Sequence, residues 1–130
     1  MDRLKERIEV ARRALAMLDE LASRATLSKI ERDAAIQRFE FTFEATWKAV
    51  QRHLEVVEGV IAGSPKACVR ASREVGLFGD EQAALALEMV DDRNLSVHTY
   101  DETLAERIRK RIPAHADLLR SWLDAVESRS

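Results

Sequence analysis

Between residues 93 and 100 the chain reads Arg93-Asn94-Leu95-Ser96-Val97-His98-Thr99-Tyr100, which puts a permanent cation, a proton carrier for neutral pH and a phenol within eight residues. Those groups suit chemistry on a phosphodiester. Cleaving RNA without a metal needs a base to take the 2′-hydroxyl proton, an acid to protonate the leaving oxygen, and a cation to meet the charge that builds on phosphorus. Histidine serves as either acid or base. Arginine stabilises the charge and can contact two phosphate oxygens at once. One chain supplies only one such histidine.

The residues that follow set the local geometry. Thr99 with Glu102 three positions later has the form of a capping box, which predicts a helix starting at Tyr100 with Thr99 as its N-cap. His98 would then lie just outside a helix N-terminus, where unpaired N–H groups and the helix dipole favour an anion. Asp101 and Glu102 partly offset that pull. The plainer alternative makes Arg93 a surface ion-pair partner of Asp91 or Asp92, His98 a helix-boundary residue and Tyr100 a residue at the bundle rim.

Arginine is abundant here, so a bare Arg-x4-His spacing arises by chance about 0.4 times in a chain of this make-up. Arg109 and His115 form a near match with five intervening residues, but that pair straddles Pro113, and His115 falls on an apolar stripe that suits helix packing.

The rest of the chain must position these groups. Its 130 residues fit one domain, 1–130, with room for a real core. Hydrophobic residues at 46% and charged residues at 34%, with four glycines and two prolines, describe a helical protein and exclude an all-β one. The lone Cys68 has no disulfide partner and reads as a core filler, which suits a reducing cytoplasm. A charged start, Met1-Asp2-Arg3-Leu4-Lys5-Glu6, and the lack of a long apolar run predict a soluble chain without contact to a membrane. With a net charge of −2, nucleic acid would have to be held by a local basic patch.

Leu4, Ile8, Ala11, Leu15 and Leu18 mark a first helix that runs to about Arg24. Ser28 and Glu31 form a capping box that opens a second helix, where Phe39, Phe43, Trp47, Val50, Leu54, Val57 and Ile61 make a heptad-like core stripe. Ser64-Pro65 starts a short third helix ending near Gly76, and Gly79-Asp80-Glu81 starts a fourth. Leu104, Ile108, Ile112, His115, Leu119, Trp122 and Val126 line the last helix, in which Pro113 predicts a kink. The expected architecture is all-α, an antiparallel four-helix-type bundle with a short extra helix.

Two further clusters carry charge. Glu40, Glu44 and Lys48 recur every fourth residue and share a helix face, either as a solvated strip or as the lining of a cleft or partner surface. Arg107, Arg109, Lys110 and Arg111 form the densest basic run, either solvated or in contact with an RNA backbone.

The segment from Arg93 through Asn94, His98 and Tyr100 to Asp101-Glu102 resembles the signature of the HEPN superfamily, and in particular its HepT toxin branch. The block Arg38-Phe39-Glu40-Phe41-Thr42-Phe43-Glu44-Ala45-Thr46-Trp47-Lys48 is similar to the branch described as nucleotidyltransferase substrate-binding proteins. The resemblance implies a HEPN-like bundle and a metal-independent endoribonuclease that works as a homodimer, bringing two copies of Arg93 and His98 into one cleft. It implies that a partner minimal nucleotidyltransferase, using ATP and Mg²⁺, adenylylates Tyr100 and silences the toxin. Asn94, Glu40, Glu44 and Lys48 would support substrate or partner binding. No cofactor or metal of the chain's own is implied. The alternative is a non-catalytic substrate-binding subunit of a two-component nucleotidyltransferase.

Overall fold

In the computed structural model, residues 3–98 and 100–130 are described, and all regular structure among them is helical. The first helix, α1 (Arg3–Ala22), buries Leu4, Ile8, Ala11, Leu15 and Leu18 on one face, as their spacing predicts. After a short turn, Ser28 Oγ accepts from the Glu31 N–H at 3.1 Å, and the Glu31 carboxylate accepts from the Ser28 N–H at 2.8 Å. That reciprocal cap starts α2 (Lys29–His53) and, through the backbone N–H of Ser28 first of all, holds the Glu31 carboxyl below its ordinary range.

Helix α2 packs against α1 and against the last helix, and buries Phe39 and Phe43 completely. Trp47, expected in the core, is only half-buried, and its indole N–H is enclosed without a partner among the described residues. The apolar stripe also ends sooner than its spacing suggests. Val57 is 45% exposed and Ile61 81% exposed. At Leu54–Glu58 the helix widens into a π turn, which breaks the 3.6-residue register, and Gly59 then ends it at φ 72°. Burial on this stripe stops at Leu54. Glu58 on the π turn accepts from Arg129 at 3.0 Å and lies 2.9 Å from the buried His53 ring, so the far end of the last helix is tied to this turn.

Ser64 caps α3 (Pro65–Glu74) through the Ala67 N–H at 3.2 Å, and the chain reverses at Gly76, where φ is 83°. Helix α4 (Asp80–Leu95) pairs with α3, and α5 (Glu102–Arg129) runs against α1, α2 and α4. Pro113 does not interrupt α5. The fold is therefore an all-α bundle of four long helices, with α3 as the short extra one.

Polar contacts also join helices inside the apolar core. The Trp122 indole donates to Ser72 Oγ at 2.9 Å while its ring stacks on Phe78, joining α5 to α3. Asp92 on α4 lies 2.7 Å from His115 Nε2 and 3.0 Å from Arg111 Nη1, both on α5, and His115 stacks on Phe39 of α2. His115 thus has the packing role that its place on the stripe suggests. Cys68 is enclosed, and burial pushes its thiol up to about 11, which leaves it inert at neutral pH. Among the described residues no helix is long and apolar enough to cross a membrane.

Trp122→Ala is expected to cost about 3–5 kcal/mol in urea denaturation, by loss of burial and the cavity left behind. Ser72→Ala should cost about 1–3 kcal/mol, because the indole N–H stays buried without an acceptor. Burial lowers the His115 pKa from 6.5, outweighing the opposing pull of Asp92. The unfolded chain therefore takes the proton first, so stability is flat above that value for this group and falls as pH drops below it. A second fall follows below the ordinary carboxylate range, where Glu31, Glu58, Glu102 and Glu106, all lowered in the fold, become protonated. Denaturation midpoints should drop between pH 7.5 and 5.5, and His115→Gln should flatten that first step; a midpoint that rose on acidification would contradict the assignment.

Candidate active site at the junction of α4 and α5

The last turn of α4 carries Arg93 and Asn94, and the chain continues through a 3₁₀ turn, Ser96–His98. Ser96 is buried, with its hydroxyl bonded to the Glu40 carboxylate of α2 and 2.7 Å from the Arg93 carbonyl. Downstream, the Asp101 N–H donates to the His98 carbonyl at 3.0 Å, and the Asp101 side chain accepts from the Leu104 N–H at 3.1 Å.

The N-cap of α5 is therefore Asp101, and the helix starts at Glu102, two residues later than the Thr99–Tyr100 start predicted from sequence. Thr99 itself lies outside the described residues. The physical reason is that Asp101 is also a strong cap residue, and the Glu102 carboxylate that the other box would use is held by Arg32 at 2.8 and 3.1 Å. A carboxylate already occupies the positive end of α5, so the attraction for an anion must come from side chains.

His98 Nδ1 and the Tyr100 hydroxyl are 3.0 Å apart, with the two rings edge to face at 5.7 Å. Both side chains face solvent, and Tyr100 is 81% exposed. His98 Nε2 has no partner among the described residues, which leaves that nitrogen open to a substrate.

Arg93 turns toward α2, its Nη2 3.4 Å from Glu44 Oε1, while its Nε–H is enclosed without an acceptor among the described residues. Neither neighbouring aspartate pairs with it, contrary to the plainer alternative: Asp91 meets Lys66 at 2.9 Å and Asp92 meets His115 and Arg111. Lys48 Nζ lies 4.0 Å from Glu44, so Glu44 stands between two cations. Asn94 is exposed. No hydrogen bond or ion pair joins Arg93 to His98 among the described residues; the helical turn between them links the two.

The shared face of Glu40, Glu44 and Lys48 thus lies along the motif. The first two contact Ser96 and Arg93 directly. Beside it is an open hollow of about 660 Å³, lined by Asp33, Ala34, Gln37, Glu40, Ser96 and Val97 among others. In the basic run, Arg109 meets Glu106 at 2.9 Å and Arg111 meets Asp92, while Arg107 and Lys110 face solvent without a partner among the described residues. No three His, Cys, Asp or Glu gather as metal ligands among the described residues.

Sequence reasoning missed Ser96 as a structural contact, and it missed Arg32. Arg32 sits four residues before Ile36 and seven before Phe39, on the buried face of α2. A charged residue at an apolar-stripe position was the available signal.

No curated protein matches the chain. A crystallised protein from Thermus thermophilus shares 55% sequence identity with it and superposes with a TM-score of 0.87, over 89% of this chain and 98% of that one. Residues 6–128, a span that includes Arg93, His98 and Tyr100, match the family described as nucleotidyltransferase substrate binding protein like, and the chain belongs to that family.

Proposed function

We propose that this chain is a HEPN-superfamily toxin of the HepT type, a single domain over residues 1–130. In this reading it is a cytoplasmic, homodimeric, metal-independent endoribonuclease neutralised when a partner minimal nucleotidyltransferase adenylylates Tyr100. The observation that carries this reading is the contact between the exposed Tyr100 hydroxyl and His98 Nδ1 at 3.0 Å. The hydroxyl is accessible to a transferase, and it is bonded to the ring that would move the proton.

In the cleavage step the 2′-oxygen attacks phosphorus, the 5′-oxygen leaves, and one proton is taken up while another is delivered. His98 Nε2 is open for one of these transfers, and the Arg93 guanidinium would supply positive charge for the phosphorane. A second protomer would bring the second histidine. Asn94 lies beside Arg93 as a neutral donor, while Glu40, Glu44 and Lys48 form the α2 wall.

In the silencing step the Tyr100 oxygen attacks the α-phosphorus of ATP, pyrophosphate leaves and the phenol loses its proton. The oxygen now bonded to His98 would then carry a phosphodiester and could no longer donate. A negative charge and the bulk of AMP would sit on the intended phosphate position. ATP and Mg²⁺ belong to the partner's reaction, and the proposal assigns this chain no cofactor.

The second reading, a non-catalytic subunit that presents a substrate to a nucleotidyltransferase, is favoured by the description of the family. It is favoured too by the pairing of Arg93 with Glu44, which leaves the guanidinium partly engaged. The two readings part at His98, since only the ribonuclease needs it.

Induced without a partner, the wild type should arrest growth and fragment RNA, while His98→Ala and Arg93→Ala at matched levels should do neither. Three equally harmless, folded proteins would leave the binding subunit as the better reading. With the cognate transferase, ATP and Mg²⁺, peptide mass spectrometry should find AMP on Tyr100; an unmodified Tyr100 peptide would remove the silencing step.

A further inference from the structure

Arg32 of α2 is buried, its side chain 2% exposed, and makes four hydrogen bonds to three carboxylates. Nη1 and Nη2 reach the two oxygens of Glu102 at 2.8 and 3.1 Å, Nη1 also reaches Glu106 at 3.1 Å, and Nε reaches Asp33 at 3.0 Å. Arg32 holds the carboxyl of Glu102 below its ordinary range, and that of Glu106 is lowered by Arg109 first and Arg32 second. We propose that Arg32 is a positioning residue, whose buried guanidinium fixes the first turn of α5 and so the short turn that presents His98 and Tyr100. This rests on the reading of His98 and Tyr100 as the working pair.

The geometry that supports it is directional. A guanidinium that meets both oxygens of one carboxylate sets orientation as well as distance. Glu102 is the first residue of α5 and lies two positions after Tyr100. From there the Asp101 cap on Leu104 and the Asp101 N–H bond to the His98 carbonyl carry that placement back to His98. The upstream end of the same turn is held by Glu40, which bonds Ser96 from a point eight residues further along α2, about 12 Å at the helical rise. One helix therefore grips the turn at both ends, before His98 through Glu40 and after Tyr100 through Arg32.

Stability alone does not account for a guanidinium at this place. Its carboxylate partners stay at the surface, with side chains 57% exposed at Glu102 and 44% at Glu106, and Arg32 is the member taken out of water. An apolar side chain of similar volume often fills such a site without loss of stability. It would not orient Glu102.

The test uses the full chain with Arg32→Met, Arg32→Lys and Glu102→Ala. Each is expected to keep its helical content and a cooperative melt. The nuclear Overhauser contact between the His98 and Tyr100 rings should be lost, and amide exchange in the turn around His98 should quicken by about tenfold or more. RNA cleavage should lose about 10- to 100-fold in kcat with KM little changed, the pattern of misplaced rather than missing groups. Lysine should not rescue, since an ammonium cannot hold two oxygens in one direction.

A folded Arg32→Met protein with the ring contact and exchange of the wild type would overturn the proposal, as would full rescue by lysine. If Arg32→Met fails to fold, Glu102→Ala, which removes only an exposed carboxylate, decides the matter by the same readings. The spectroscopic readings need neither RNA nor a transferase. A wild type that neither cuts nor is modified would count against the ribonuclease reading alone, and the ring contact would still decide for or against the clamp.

Discussion

The hydrogen bond between Asp92 and His115, 2.7 Å long and closed to solvent, sets how α4 lies on the rest of the bundle. A buried carboxylate is costly unless paired. Asp92 meets this need with two partners on α5, His115 and Arg111, and His115 in turn stacks on Phe39 of α2. Sliding α4 by one turn would strand the aspartate in an apolar core. Arg93 is the next residue, roughly 100° further round the helix, and that rotation takes it out of the core and onto Glu44. The direction of the Arg93 side chain is thus a consequence of a contact made inside the core.

Electrostatics around the motif are close to balanced. Arg93, Lys48, Arg109, Arg111 and Arg32 all have carboxylate partners, and the chain carries a net charge of −2. Near the motif the chain therefore presents little unspent positive charge to a polyanion, apart from Arg107 and Lys110 on α5; Arg13 and Arg70 are exposed elsewhere on the surface. In the ribonuclease reading this restraint is useful, because capture of RNA then depends on two protomers pooling Arg93 and His98. In the binding-subunit reading the same acidic α2 wall would face the partner instead.

Much of the fold was legible in the sequence because it is carried by local signals. The Ser28–Glu31 box, the Ser64-Pro65 start and the three-and-four spacing on α1 and α5 each depend on residues within a turn or two of one another. The misses share a different cause. Val57 left the core because a π turn changed the helical period, and Ile61 because Gly59 ended the helix before it, whereas a spacing rule assumes one constant, unbroken period. The start of α5 moved to Glu102 because two N-cap residues, Thr99 and Asp101, were possible there, and Arg32, seventy residues away, engages the glutamate that a Thr99 capping box needs. The motif was readable as a set of residue types. Its wiring was not, since Glu40 to Ser96, Glu44 to Arg93 and Asp92 to His115 are contacts between helices. Arg32 went unread, although it is a charge on the face of α2 where Ile36 and Phe39 are buried.

The most direct measurement is made on the purified protein with a chelator present. RNA is incubated with the unmodified form and with the form adenylylated at Tyr100, and the ends of any fragments are analysed. If His98 and Arg93 perform metal-independent cleavage that Tyr100 controls, the unmodified protein yields fragments ending in 2′,3′-cyclic phosphate and the adenylylated protein leaves the RNA intact. Intact RNA with the unmodified, folded protein, or equal cleavage by both forms, would contradict it.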